Sequence, residues 1–181
     1  VDETAEYALV PRPELIVALI KRIATLSWPD READQAVYLR QLGFEKSDGH
    51  GGHRPGPGSP TGPASSRFAC GELVSTELPV SSASWASYRG ELFSVNVFVY
   101  SSPANGDNGA VAGFRSIYSQ LHSMYGPPTD ATFRAFDEST ALWEVDGTSI
   151  EMYSYTRDAP GLQLGFTHTE RNAAYEANLA E

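Results

Sequence analysis

The residues able to do chemistry are few, and each has an ordinary reading beside its reactive one. His50 and His53 stand three apart in a glycine-rich stretch with Asp48 nearby. A tight metal site needs more ligands, held rigidly, than these three side chains on a glycine-rich loop supply. No metal and no cofactor is therefore expected. Cys70, with His122 or His168 as base, is a conceivable nucleophile, but its spacing fits no local signature of a cysteine enzyme. A lone cysteine in a strand ordinarily packs as a small hydrophobe. Glu144 and Glu151 flank an Asp146-Gly147 turn. With a two-residue turn, Glu144 opposes Ser149 and the two glutamates lie diagonally on one sheet face. That is a conceivable acid–base pair, and equally the solvated face of a hairpin. The run GHGGHRPGPGSPTG lacks the lysine and the helix start of a phosphate loop, and no G-x-S-x-G, H-E-x-x-H or C-x-x-C occurs. The chain is not expected to be an enzyme; a small hydrolase using Glu144 and Glu151, or Cys70, and a generic protein-binding module stand as the alternatives.

The elements that position these residues are legible in the hydrophobic spacing. Residues 13–26 form an amphipathic helix with Leu15, Ile16, Leu19, Ile20, Ile23 and Leu26 on one face and Pro13 in its first turn. After Pro29, Asp30 caps a second helix that turns Ala33, Val37 and Leu42 inward and stops at Gly43. The short connection implies an αα-hairpin. Strands follow at 67–75 and 84–89. In LFSVNVFVY, Phe93, Val95, Val97 and Val99 share a face. A helix over 110–125 carries Val111, Phe114, Tyr118, Leu121 and Tyr125, and ends at Gly126 before Pro127 and Pro128. It should cover Val95 and Val97. Asp146-Gly147 then marks a hairpin, LQLGFTH a further strand, and Thr169 the cap of a last helix to Leu179. The fold class is α+β: an antiparallel sheet with an N-terminal αα-hairpin and a helix packed on one face, in the order ααββ-βαβββ-α.

Residues 1–181 suit one α+β domain, which at this length buries roughly 70% of its unfolded surface without staples. Residues 47–66 contain ten Gly or Pro among twenty and no large apolar side chain. That composition gives a flexible loop between the helical hairpin and the sheet.

Charge narrows the partners. The net charge is −10 and the pI about 4.8, with 13 Lys and Arg scattered rather than striped. Nucleic acid is therefore not an expected partner, and a basic protein is. No apolar run approaches the roughly 20 residues that span a bilayer, so no membrane partner is expected. One cysteine and no N-x-Ser/Thr sequon suit the cytoplasm, although a first residue of Val1 leaves room for a removed signal peptide. Among the tryptophans, Trp143 reads as core and Trp28 as a lid over the helical hairpin. Trp85, set among serines, reads as an exposed interface ring. The partner-binding candidates are Asp48, His50, His53 and Arg54 of the loop, Trp85, and the turn carboxylates Asp137, Glu138 and Asp146.

Four motifs carry a resemblance: LSWPD (26–30), LGF (42–44), MYGPPT (124–129) and WEVDGTSIEMY (143–153). Their arrangement is similar to that of small acidic actinobacterial immunity proteins of secreted polymorphic toxins, such as the immunity factor of the tuberculosis necrotizing toxin. The resemblance implies an antitoxin-type protein that binds a toxin domain, in that case an NAD-hydrolysing one, and blocks its active site. These motifs are helix stops and a hairpin, so they carry over no functional residue.

Overall fold

The computed structural model describes residues 8–47, 67–80, 82–102, 109–133, 138–156 and 159–179. The predicted loop from Asp48 onward, with His50, His53 and Arg54, lies outside them, as does Asp137.

Among the described residues the order is α1 (Pro13–Thr25), α2 (Glu32–Gln41), β1 (Phe44–Lys46), β2 (Phe68–Ser75), β3 (Ser82–Tyr88), β4 (Glu91–Val99), α3 (Gly109–Tyr125), β5 (Asp130–Thr132), β6 (Ser139–Val145), β7 (Thr148–Tyr155), β8 (Gly161–His168) and α4 (Thr169–Leu179). The chain is α+β, as its spacing indicates, with two short edge strands, β1 and β5, beyond the expected set. The strands make one eight-stranded sheet in the order β1-β2-β3-β4-β8-β7-β6-β5. Every pairing is antiparallel. Two four-stranded meanders thus meet along β4 and β8, and α3 carries the chain from one meander to the far edge of the other.

One face of the sheet is the core. Val95, Val97 and Val99 of β4, Leu162, Leu164 and Phe166 of β8, Ile150 and Met152 of β7, and Trp143 of β6 are buried there. α3 lies over β6 to β8, while β4 is reached by α2 and, through Phe93 and Leu92, by α4. The two N-terminal helices follow one another closely but find separate partners: α1 packs on α3, and α2 on β1 and β4. α1 buries Ile16, Leu19, Ile20 and Ile23 of its expected face, whereas α2 is turned from its own. Leu15 is exposed, and Val17 and Ala24 are buried in its place. In α2 Ala33 and Val37 face solvent and Gln35, Tyr38 and Leu39 face inward. An apolar-only pattern misses that face because Gln35, one of its three members, is polar. Along α3 the buried stripe is Ala110, Gly113, Phe114, Ile117 and Leu121, so Val111, Tyr118 and Tyr125 sit at its margin.

A β-bulge corrects the reading of β4. Pairing with β3 shifts between Ala86 and Ser87, and the extra residue places Phe93 on the opposite face from Val95. There its ring stacks on Tyr175 of α4 at 5.0 Å, and Phe68 and Tyr88 complete a second, smaller apolar cluster. α4 therefore covers one corner of the second face only. The hairpin is as the sequence indicates: Asp146 and Gly147 both have positive φ, 47° and 79°, which a two-residue type I′ turn requires. Val145 opposes Thr148, Trp143 opposes Ile150, and Glu144 opposes Ser149.

Candidate functional site

Strand alternation assigns every second side chain of β5 to β8 to the face turned away from α1 and α3. On that face lie Asp130, Leu142, Glu144, Ser149, Glu151, Tyr153, Tyr155, Gln163, Gly165 and Thr167, none of them buried, opposite a fully packed core. Asp130, Glu138, Glu144 and Glu151 are all exposed. Among the described residues from Pro127 to Thr167 there is no Lys or Arg. Among the described residues this half of the sheet therefore presents carboxylates without a cation, and Asp146 lies exposed at the hairpin tip. Tyr153 donates its hydroxyl to Glu138, which raises the phenol's pKa. Its ring lies 5.8 Å from that of Tyr155, so two aromatic surfaces border the carboxylates.

The candidate catalytic groups are otherwise engaged or kept apart. Glu144 and Glu151 do share a face, but the Glu144 carboxylate accepts the hydroxyl of Ser149 and, at 2.9 Å, that of Thr169. It fastens the start of α4 to the hairpin. Cys70 is exposed. The register Cys70–Ala86–Ser94–Thr167 puts it three strand spacings, about 14 Å, from the row beside His168. His122 belongs to α3, which covers the other face. Among the described residues no group of three or more His, Cys, Asp or Glu is placed to hold a metal ion.

Two single-residue expectations change in the folded protein. Trp85 is half-buried on the core side of the sheet. The Lys46 ammonium sits 3.7 Å from its ring centroid and donates to Gln35 Oε1 at 2.8 Å. Burial of this pair lowers the Lys46 pKa, and a ring covered by a cation is no free interface anchor. The α4 cap is also reassigned, since Thr169 spends its hydroxyl on Glu144 and the Arg171 N–H points to His168 Nδ1 at 3.4 Å. Of the other described candidates, Glu138 belongs to the acidic face and Asp146 to its end. Sequence reading passed over Asp130, Tyr153 and Tyr155. Period-2 alternation from Leu142 to Tyr155 holds the signal for the two tyrosines; Asp130 required knowledge of the edge strand β5.

A second polar cluster lies where α1 meets α2. Trp28 is buried, donates Nε1 to Thr148 Oγ1 at 3.0 Å, and lies 5.6 Å from the Tyr38 ring and 5.9 Å from His168. Arg171 donates to the carbonyls of Pro29 and Leu92 and to Asp30. Asp30 is therefore an ion-pair partner of α4, and α2 starts without a side-chain cap. Burial raises the Tyr38 pKa strongly, and its hydroxyl has no partner among the described residues. This cluster ties the turn between α1 and α2, and α2 itself, to β4, β7, β8 and α4 around the buried Trp28 ring, with Asp30 exposed at its edge; it is a clasp.

No protein-family model matches the chain, and no curated protein matches it. Among solved structures, the crystal structure of a DUF4309 family protein (YjgB) from Bacillus subtilis is similar at a TM-score of 0.39 and 11% identity, covering 84% of this chain and 95% of that one. A likeness of that degree bears on neither fold nor function.

Proposed function

We propose that this chain is an immunity-type protein that binds a secreted toxin domain with a basic surface and blocks its active site. The observation that carries the reading is the acidic open face of β5 to β7, with Asp130, Glu138, Glu144 and Glu151 exposed and no Lys or Arg among its described residues. An enzyme that cleaves an anionic dinucleotide such as NAD draws its substrate with positive potential around the cleft. A rigid acidic sheet face is complementary to such a cleft, and charge complementarity both steers encounter and rejects wrong partners. The resemblance of the helix-stop and hairpin motifs to immunity factors supports the same class. No helix among the described residues is long and apolar enough to cross a membrane; in this reading the protein meets its toxin in the cytoplasm.

The test is to co-express the chain with the toxin-like domain encoded beside it, then measure complex stoichiometry and residual toxin activity. A one-to-one complex without activity is expected. Asp130→Lys with Glu151→Lys, two exposed positions, should weaken binding at least a hundredfold while leaving the melting temperature within a few degrees. Full inhibition by that double variant would remove this face from the interface.

A further inference from the structure

The open face has one place with a floor and no side chain. Gly165 of β8 lies in a row that crosses the sheet as Ser84, Asn96, Gly165, Glu151, Leu142 and Asp130, each opposite the next. A Cβ on Gly165 would meet Asn96 Oδ1 at 3.4 Å and Glu151 Oε2 at 3.9 Å. Two acceptor oxygens from the two flanking strands thus converge on one small space. The Asn96 side chain is oriented for this: its Nδ2 donates to Ser94 Oγ at 3.2 Å, which leaves Oδ1 turned to Gly165. Neither oxygen has a donor among the described residues. Two half-exposed rings, Phe98 of β4 and Tyr153 of β7, stand one step along the same strands, about 7 Å away.

We propose that the space over Gly165 is a seat for a guanidinium-bearing side chain of a basic protein partner. This rests on the reading of the open face as a docking surface and names the residue chemistry it takes. A guanidinium is planar and carries five donors; it can fork onto the Glu151 carboxylate, reach Asn96 Oδ1, and lie against an aromatic face. An ammonium satisfies the charge without the fork. A divalent cation wants six or more oxygens, and two face this space. Glycine is what keeps the seat open, because any side chain at 165 would enter it.

The experiment uses the whole chain, isotopically labelled, titrated with Nα-acetyl-arginine amide and, separately, with the lysine and citrulline analogues. The arginine probe should shift the Asn96 side-chain amide and the Gly165 N–H saturably, several-fold more tightly than the lysine probe, with no response to citrulline. Glu151→Gln, nearly isosteric and exposed, should weaken the arginine response at least tenfold. Gly165→Ala, whose methyl meets its neighbours at ordinary contact distance, should abolish it in a protein of unchanged melting temperature. Shifts spread evenly over the acidic face, an equal lysine response, survival in Glu151→Gln, or no shift at all would overturn the seat. None of these would touch the toxin-complex result above. Saturable, guanidinium-selective shifts at Asn96 would uphold the seat even if that complex failed to form.

Discussion

His168 ends β8 and accepts the N–H of Arg171 in the first turn of α4, and its surroundings bear on its proton. Partial burial lowers its pKa first, and the neighbouring Arg171 guanidinium lowers it further; Glu170 and Glu91 pull the other way without prevailing. The folded protein therefore resists protonation that the unfolded chain accepts at the ordinary value of about 6.5. Stability from this group is complete above that value and is lost as pH falls through it towards the lower folded value, because the unfolded state then binds more protons. Replacing His168 by Asn keeps an acceptor for the Arg171 N–H and removes the titration. Thermal melts between about pH 7.5 and 5.5 should show the wild type losing more than His168→Asn. Parallel curves would mean that the acid sensitivity belongs to the carboxylates. A histidine in a strand ending, seen in sequence alone, offered only the guess of a base for Cys70; the guanidinium that governs it arrives through the packing of α4.

At the scale of elements, Arg171 ties α4 to the turn between α1 and α2 and to the start of β4. Its guanidinium is largely buried, with side-chain exposure of 13% against 87% for Asp30. The bonds to the Pro29 and Leu92 carbonyls should therefore matter more than the ion pair, since exposed pairs contribute little. Arg171→Ala should cost about 2–4 kcal/mol in urea unfolding, and Asp30→Ala less than about 1 kcal/mol. Equal losses would place the clasp in the ion pair instead. Why some elements were legible and others were not follows from the same packing. α1, α3 and the β6–β7 hairpin announce themselves through local signals: Pro13, Gly126 before two prolines, and Asp146-Gly147. The inward face of α2 was hidden because Gln35 earns its burial by donating to the Gly90 carbonyl at 2.8 Å and accepting from Lys46. β1 and β5, three residues each, are too short to show a period. The candidate seat at Gly165 depends on β4 lying beside β8, a pairing of strands far apart in the chain, and no local pattern encodes it.

The whole molecule carries a net charge of −10, and its described β5–β8 half contributes Asp130, Glu138, Glu144, Asp146 and Glu151 with no Lys or Arg. The summed field of such a surface acts on an approaching basic domain before any contact forms, so it governs the rate of encounter. Contacts at the buried centre of an interface govern how long the complex lasts. Raising the ionic strength from about 0.01 M to about 0.15 M shortens the Debye length from roughly 30 Å to 8 Å. Association with the toxin domain proposed above should then slow by about tenfold or more while dissociation changes far less. Stopped-flow measurement of both rates across that range separates the two effects. Asp130→Asn and Glu138→Gln, exposed positions on the acidic face, should flatten the salt dependence of the association rate and leave the dissociation rate close to that of the wild type. A salt-independent association rate would reduce these carboxylates to a solubility role. That result would also weaken the case for a basic partner proposed above.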